Sequence, residues 1–349
     1  MKKENHIALY RKYRPESFKD VIGQDHVVEV LKKSIAEKNI AHAYLFAGGR
    51  GTGKTTIARI LANEIGTTSK DLYEMDAASN RKIDDFRELN ESVHTLPFDS
   101  EYKVYIIDEV HMLTKEAFNA FLKTLEEPPK HVVFILATTE IDKLPDTIVS
   151  RCQTYTFKKP TRPILSTAIL NVAKGEKVTI EKDAAELIAI IADGSFRDAL
   201  GVLQKVLSYS TDKKITRSEV ESVTGAPRAE LIHELLTAIS EGVLDDALAS
   251  IHGAVEVNVD FATFLKLILD RVRAVILMRN SKKMESSLQN QFSEEEFEFL
   301  QKLSQVSDTK LNSKALTAIL GAYVDTPHAY IKQLPLELAL IEAIGKSYE

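Results

Sequence analysis

The chain carries a single cysteine, Cys152, among its 349 residues, which excludes an intrachain disulfide and a cysteine-rich zinc cluster. A metal site of His, Asp and Glu is not excluded by that count, but the nine histidines show no ligand-like spacing. No uninterrupted apolar run approaches the ~18 residues a membrane span needs, and the opening Met1-Lys2-Lys3-Glu4-Asn5-His6 leads into no signal-peptide core. A cytoplasmic protein without a membrane partner is the expectation. Positive charge is also in deficit. A formal net charge of −6 argues against a surface coated in positive potential, although a local basic stripe would still grip a phosphate backbone. Internal repeats, heptad arrays and low-complexity segments are missing too. What is present is the balance of a soluble globular protein, 44% hydrophobic and 28% charged, with length for two or three domains.

Residues 48–55, Gly-Gly-Arg-Gly-Thr-Gly-Lys-Thr, follow the apolar run Tyr44-Leu45-Phe46-Ala47 and open a helix-compatible segment ending near Glu64. Strand, glycine-rich turn and helix in that order suit a nucleoside triphosphate. Without side chains at Gly48, Gly51 and Gly53, the turn can aim successive N–H groups at the phosphates, and the helix start adds its unpaired donors and positive dipole end. The candidate cradle comprises Gly48, Gly49, Arg50, Gly51, Thr52, Gly53, Lys54, Thr55 and Thr56. Lys54 would reach the β/γ oxygens and the Thr55 hydroxyl would hold Mg2+. A second apolar strand, Val104-Tyr105-Ile106-Ile107, delivers Asp108 and Glu109 at its carboxyl end, where open α/β sheets bind ligands. Asp108 suits the metal and Glu109 the attacking water, the division of labour that phosphoryl transfer requires.

From Phe18 to about Phe157 short apolar strands (43–47, 72–76, 103–107, 131–137) alternate with helical stretches near 25–38, 54–64, 81–94 and 114–126. That alternation implies βαβ units and a mainly parallel sheet. Pro128-Pro129 stops one helix, and Pro145 and Pro160 mark later boundaries. Beyond Pro160, helical periodicity through Ile164–Val172, Asp183–Ile191 and Arg197–Tyr209 suffices for a small three-helix domain, and Lys177-Val178-Thr179-Ile180 reads as an extended linker. From about Gly225 the pattern is helical to the end, a packing domain of the kind that serves oligomerisation. The expected domains are 1–160, 161–224 and 225–349.

Four further features bear on mechanism. Thr139 follows the strand 131–137 and is a candidate γ-phosphate or water sensor, although threonine is also an ordinary strand cap. Arg151, in Ser150-Arg151-Cys152, would be placed to neutralise charge on a neighbouring subunit's nucleotide, while a lone arginine is ordinarily a surface residue. Cys152 reads as an apolar packing group, since no His or Asp stands beside it in sequence. Arg197 follows the capping Ser195, and contact with the γ-phosphate would tie the three-helix domain to the sheet. Arg11, Arg14 and Pro15, with Val21 and Ile22, are placed to wrap adenine and ribose, or are simply a basic arm.

Taken together these residues resemble the ATPase subunits of sliding-clamp loaders in the AAA+ superfamily, and in detail the bacterial DNA polymerase III gamma/tau family. The phrases that carry the resemblance include Arg11-Lys12-Tyr13-Arg14-Pro15, Val21-Ile22-Gly23-Gln24, the phosphate loop, Asp76-Ala77-Ala78-Ser79-Asn80 and Ile107-Asp108-Glu109-Val110-His111. Leu122–Pro129, Ala137-Thr138-Thr139-Glu140, Ser150-Arg151-Cys152 and Gly194–Leu200 extend it, and beyond residue 200 it thins to Leu334–Glu342. The resemblance implies an α/β AAA+ P-loop ATPase core, a small helical lid and an all-α collar. It implies ATP and Mg2+, delta and delta-prime subunits, further copies of the chain, the beta sliding clamp and primer-template DNA as partners. In that scheme Lys54 and Thr55 match Walker A, Asp108 and Glu109 match Walker B, Thr139 matches sensor 1, Arg151 the arginine finger in trans, and Arg197 sensor 2.

Two departures stand out. The family usually carries a four-cysteine zinc module before Asp-Ala-Ala-Ser-Asn, whereas here Gly66-Thr67-Thr68-Ser69-Lys70 alone spans that gap, so no zinc site is expected. The end just after the collar-like helices resembles the short gamma form. No polymerase site is in view. Archaeal and eukaryotic loader subunits, a Holliday-junction branch-migration ATPase with a winged-helix module in place of the collar, and a structural subunit without its own clamp-stimulated ATPase are the competing readings.

Overall fold

The computed structural model describes residues 7–79, 83–210 and 212–345, with the side chains of 83–87 and 290 excepted. Asn80, the first two residues of the helix expected from 81, and the chain's extreme ends lie outside them. The described residues fall into two compact units: one reaching to Ala168 and including Gly194–Gly201, the other comprising Ile169–Asp193 and the residues from Val202 onward.

In the first unit a short helix α1 (Leu9–Lys12) precedes α2 (Asp25–Ala36), and strands then alternate with helices: β1 (Ala43–Ala47), α3 (Lys54–Glu64), β2 (Leu72–Asp76), α4 (Ile83–Val93), β3 (Lys103–Asp108), α5 (Lys115–Glu126), β4 (Val132–Thr138), α6 (Asp146–Val149) and β5 (Gln153–Thr156). The five strands form one sheet in the order β2-β3-β4-β1-β5, and every pairing is parallel. All of β1 and β4 is buried, as a parallel sheet covered on both faces requires. Leu45, Tyr105, Ile107, Phe134 and Leu136 pack on the face that holds Phe118 and Phe121 of α5. Tyr44, Phe46, Ile106 and Ile135 pack on the other, with Val28 and Leu31 of α2 and Ile57 and Leu61 of α3. Successive residues serve opposite faces because the pleat alternates them.

The sequence pattern passes over β5. Its residues, Gln153-Thr154-Tyr155-Thr156, are largely exposed because β5 is an edge strand, so it has no apolar run to betray it. Parallel pairing with β1 decides its place.

The second unit contains the second half of α7 (Arg162–Gly175), then α8 (Lys182–Ile191), the part of α9 (Phe196–Tyr209) from Val202 onward, and α10 (Arg217–Thr224). The 177–180 segment departs from the linker expectation: Thr179–Ile180 (β6) pairs in parallel with Lys214–Ile215 (β7), a two-residue ladder too short to register as periodicity. Helices α11 (Ala229–Glu241), α12 (Leu244–Glu256), α13 (Phe261–Asn280), α14 (Lys282–Leu288), α15 (Glu294–Gln305), α16 (Ser313–Asp325) and α17 (Leu334–Ile344) follow. The 20-residue α13 is its spine, burying Phe264, Leu265, Ile268, Val272 and Val275. Arg271 is buried with them and donates to Glu296 at 2.9 Å. Burial raises the Glu296 pKa, but His233 and Arg271 outweigh it and hold the group at about 2. No helix among the described residues is long and apolar enough to cross a membrane.

The short link that enters β2 is clasped by polar contacts. Fully buried Asp71 accepts the backbone N–H groups of Phe98, Asp99 and Ser100 at 2.5, 2.9 and 2.9 Å. Lys70 pairs with Asp99 at 2.7 Å, and the Thr68 N–H donates to the Ser100 hydroxyl at 2.9 Å. Burial raises the Asp71 pKa, but the bonds from 98–100 overcome it and bring it to about 2. A depressed folded-state pKa gives stability that is present above the unfolded value, about 3.9, and is lost as pH falls toward 2. Asp71→Asn should therefore lower unfolding free energy at pH 7 by about 1–3 kcal/mol. In urea titrations the gap from wild type should narrow below pH 4.

Candidate functional site

The parallel sheet turns all its strand carboxyl ends to one edge, and the central order β3-β4-β1 sets three sequence-distant loops side by side there. β1 runs into the glycine-rich loop, and α3 begins at Lys54 with Gly53 (φ 103°) as its cap. Gly48 takes φ 154°, and a Cβ there would stand 2.5 Å from the Phe157 carbonyl oxygen, so only glycine fits without displacement. Its N–H donates to the Thr138 carbonyl of β4 at 3.1 Å.

Lys54 is buried and its ammonium donates to the carbonyls of Gly48 and Gly49 at 2.8 and 2.9 Å. Burial lowers its pKa, Glu109 and Asp108 raise it, and Arg197 lowers it again, with a net decrease. The Thr55 hydroxyl donates to Asp108 Oδ2 at 2.7 Å. A hydroxyl and a carboxylate side by side form the all-oxygen donor set that suits a hard cation such as Mg2+. Thr52 is buried, its hydroxyl bonded to the Gly49 carbonyl at 2.9 Å, whereas Arg50 and Gly49 are exposed and Thr56 is half-buried.

Glu109 adopts a left-handed backbone (φ 50°), which costs a non-glycine residue about 1–2 kcal/mol. Asp108 and Glu109 thereby meet different partners. Glu109 Oε2 accepts the Thr139 hydroxyl at 2.9 Å and the Thr139 N–H at 3.3 Å. His111 bridges the same edge, with Nδ1 at 3.0 Å from the Thr138 hydroxyl and Nε2 at 3.3 Å from Glu140. The sequence singles out Glu109 and Thr139 separately; the fold joins them.

Arg151 lies apart from this group in its bonding: its guanidinium donates to Glu126 at 2.6 Å and to the Thr147 carbonyl at 2.8 Å. Burial pushes the neighbouring Cys152 thiol up to about 12, and the side chain packs against the core under α5, in keeping with an apolar role. Arg197 sits with its guanidinium 5.7 Å above the Tyr10 ring. Phe196 N–H donates to the Gly51 carbonyl at 3.0 Å, so the start of α9 is stitched to the phosphate loop. Arg14, Pro15, Val21 and Ile22 are half-buried and Arg11 is exposed; Val21 packs against the core beside α3.

Gln24 escapes sequence reasoning as a structural tie. It is buried, its amide donates to the carbonyls of Thr52 and Lys158 at 3.2 and 2.7 Å, and its carbonyl accepts the Lys158 N–H at 3.2 Å. Tyr10 and Arg59 escape it too. The only available signal for Arg59 is its place four residues after Thr55, on the same face of α3.

Comparison with known proteins bears on the whole chain. The family model described as DNA polymerase III, delta subunit matches residues 23–80 and 67–161, and that for DNA polymerase III subunits gamma and tau domain III matches 215–348. The chain is 38% identical over 303 residues to DNA polymerase III subunit tau of Bacillus subtilis, covering 81% of this chain and 54% of that one. It is 36% identical over 296 residues to DNA polymerase III subunit gamma of Buchnera aphidicola, covering 79% and 80%. It spans about half the length of the first curated relatives it matches, 54% and 41%. Among solved structures, the Thermotoga maritima RuvB Holliday junction branch migration motor shares the fold at TM-score 0.53 and 25% identity, over 69% of this chain and 85% of that one. Residues 225–345 are helical without strands among those described, which removes the winged-helix alternative, and the domain III match covers them. The chain belongs to the DNA polymerase III gamma/tau family.

Proposed function

We propose that this chain is the ATP-binding and ATP-hydrolysing motor subunit of a bacterial clamp loader, which places the sliding clamp on primed DNA during replication. The observation that carries the proposal is the assembly of Lys54, Thr55, Asp108, Glu109 and Thr139 at the ends of β1, β3 and β4, in a chain of this family. A purely structural subunit has no use for that complete set.

In this reading the N–H groups of 48–53 and the Lys54 ammonium bind the β- and γ-phosphates of ATP. Thr55 and Asp108 would hold Mg2+, which would supply charge neutralisation at those phosphates. Glu109 orients a water whose oxygen attacks the γ-phosphorus. The bond to the β–γ bridging oxygen breaks, ADP leaves with that oxygen, and the water's proton moves toward Glu109 or the product phosphate. Thr139 both grips Glu109 and lies where a γ-phosphate would compete for its hydroxyl, so nucleotide occupancy and base position are linked. Arg197 senses the nucleotide from the start of α9. Arg151 acts on a neighbouring subunit's ATP, exchanging its pairing with Glu126 for the phosphate. Arg11, Arg14, Pro15, Val21 and Ile22 enclose the adenosine.

The working parts are residues 1–160 as motor core, 161–224 as lid and 225–349 as collar. Delta and delta-prime subunits, other copies of the chain, the beta clamp and primer-template DNA are the partners, and the cytoplasm is the compartment. The apolar residues Leu320, Val324, Leu338 and Ile341 stay exposed on α16 and α17, which favours an assembling collar.

Steady-state ATP hydrolysis with delta and delta-prime, with and without clamp and primed DNA, tests the proposal. The rate should rise when both are present, and a rate indifferent to both would overturn it. Glu109→Gln should keep ATP binding while kcat falls by about 10^2–10^4-fold, the usual worth of a general base. Arg151→Ala should leave ATP binding intact and lower hydrolysis in the assembled complex by about 10^3-fold, the scale of an arginine finger. Lys54→Ala should abolish nucleotide binding itself. Equal loss of binding in Arg151→Ala and Lys54→Ala would rule out action in trans.

A further inference from the structure

Four guanidinium groups converge beside the phosphate loop. Arg11 and Arg14 from the N-terminal arm, Arg59 from α3 and Arg197 from α9 line, with Tyr10, a pocket of about 480 Å3. The Tyr10 ring meets two of them, its centroid 5.8 Å from the Arg11 guanidinium and 5.7 Å from that of Arg197. Stacking of this kind holds two cations in place without neutralising either. Burial lowers the Arg14 pKa, and the charges of Arg59, Arg197 and Arg11 push it the same way against Glu74. So many like charges around one cavity favour an anionic occupant.

Arg59 is the member that sequence reasoning leaves without a role. It stands one helical turn beyond Thr55 on the same face of α3, about 6 Å along the axis. Its Nη2 donates to Glu74 Oε2 of β2 at 2.5 Å, while its Nε is buried and has no hydrogen-bond partner. The Arg59 side chain is 42% exposed and lines the pocket, so an anion held there can reach it. The pocket adjoins the phosphate loop electrostatically, since Arg197 acts on Lys54 as well as on Arg14.

We infer that Arg59, oriented by Glu74, is a further contact for the phosphate-bearing part of the bound nucleotide, at the α3 side of the arginine pocket. The inference rests on the nucleotide-binding reading of residues 48–55. Glu74 is a positioning residue: its bond to Nη2 restrains the guanidinium of a side chain that lines the pocket.

Isothermal titration of the full-length chain with ATP and with adenosine, in wild type, Arg59→Ala, Arg59→Lys and Glu74→Gln, tests it. One charge-assisted hydrogen bond lost from a phosphate predicts that Arg59→Ala weakens ATP binding by about 10- to 100-fold. Adenosine binding should not change, and the Tm without nucleotide should hold, because an exposed ion pair contributes little to stability. Arg59→Lys, which keeps the charge but not the fork, should fall between, and Glu74→Gln should weaken ATP binding less than Arg59→Ala. ATP affinity within twofold of wild type in both Arg59 variants would overturn the inference while leaving the nucleotide reading intact. Failure of the wild type to bind ATP would remove both. Loss of primer-template DNA binding in Arg59→Ala, with ATP affinity unchanged, would assign the pocket to a nucleic-acid backbone and likewise overturn it.

Discussion

The parallel packing of β3, β4 and β1 is the constraint on which the site depends. Each strand is buried on both faces, so its backbone has no satisfactory alternative to the ladder, and a slip by one residue would exchange the two apolar faces. With register held in this way, the loops after Ala47, Asp108 and Thr138 emerge on one edge. The 2.7 Å bond from Thr55 to Asp108 and the 2.9 Å bond from Thr139 to Glu109 follow from that arrangement. Neither pair is close in sequence.

Around this edge the described residues concentrate positive charge. Lys54 is buried against carbonyl oxygens, and the four arginines beside it have Glu74 opposing them. Cations held in place by packing, stacking and carboxylates favour an anionic ligand. Gln24 and Phe196 brace the loop from the α2 and α9 sides through its backbone carbonyls.

Elsewhere polar burial serves structure alone. Asp71 collects three backbone donors from 98–100, so the link that enters β2 is secured by hydrogen bonds. In the second unit Arg271 and Glu296 bury a charge pair inside the helices, an arrangement that stays neutral overall but is costly if one partner is lost.

The sequence by itself determined the glycine-rich loop after β1, the carboxylates at the end of β3, the helices and the apolar strands. Each of these is written locally, as a spacing of glycines or as a period of 2 or 3.6 in hydrophobicity. It passed over β5 and the β6–β7 ladder, because an exposed edge strand and a two-residue bridge carry no such period. Only the tertiary structure decided the strand order, the pairing of Glu109 with Thr139, the tie made by Gln24, and the convergence of Tyr10, Arg59 and Arg197. Those contacts join residues far apart in the chain, and burial periodicity records which face of an element is covered without recording which distant residue covers it.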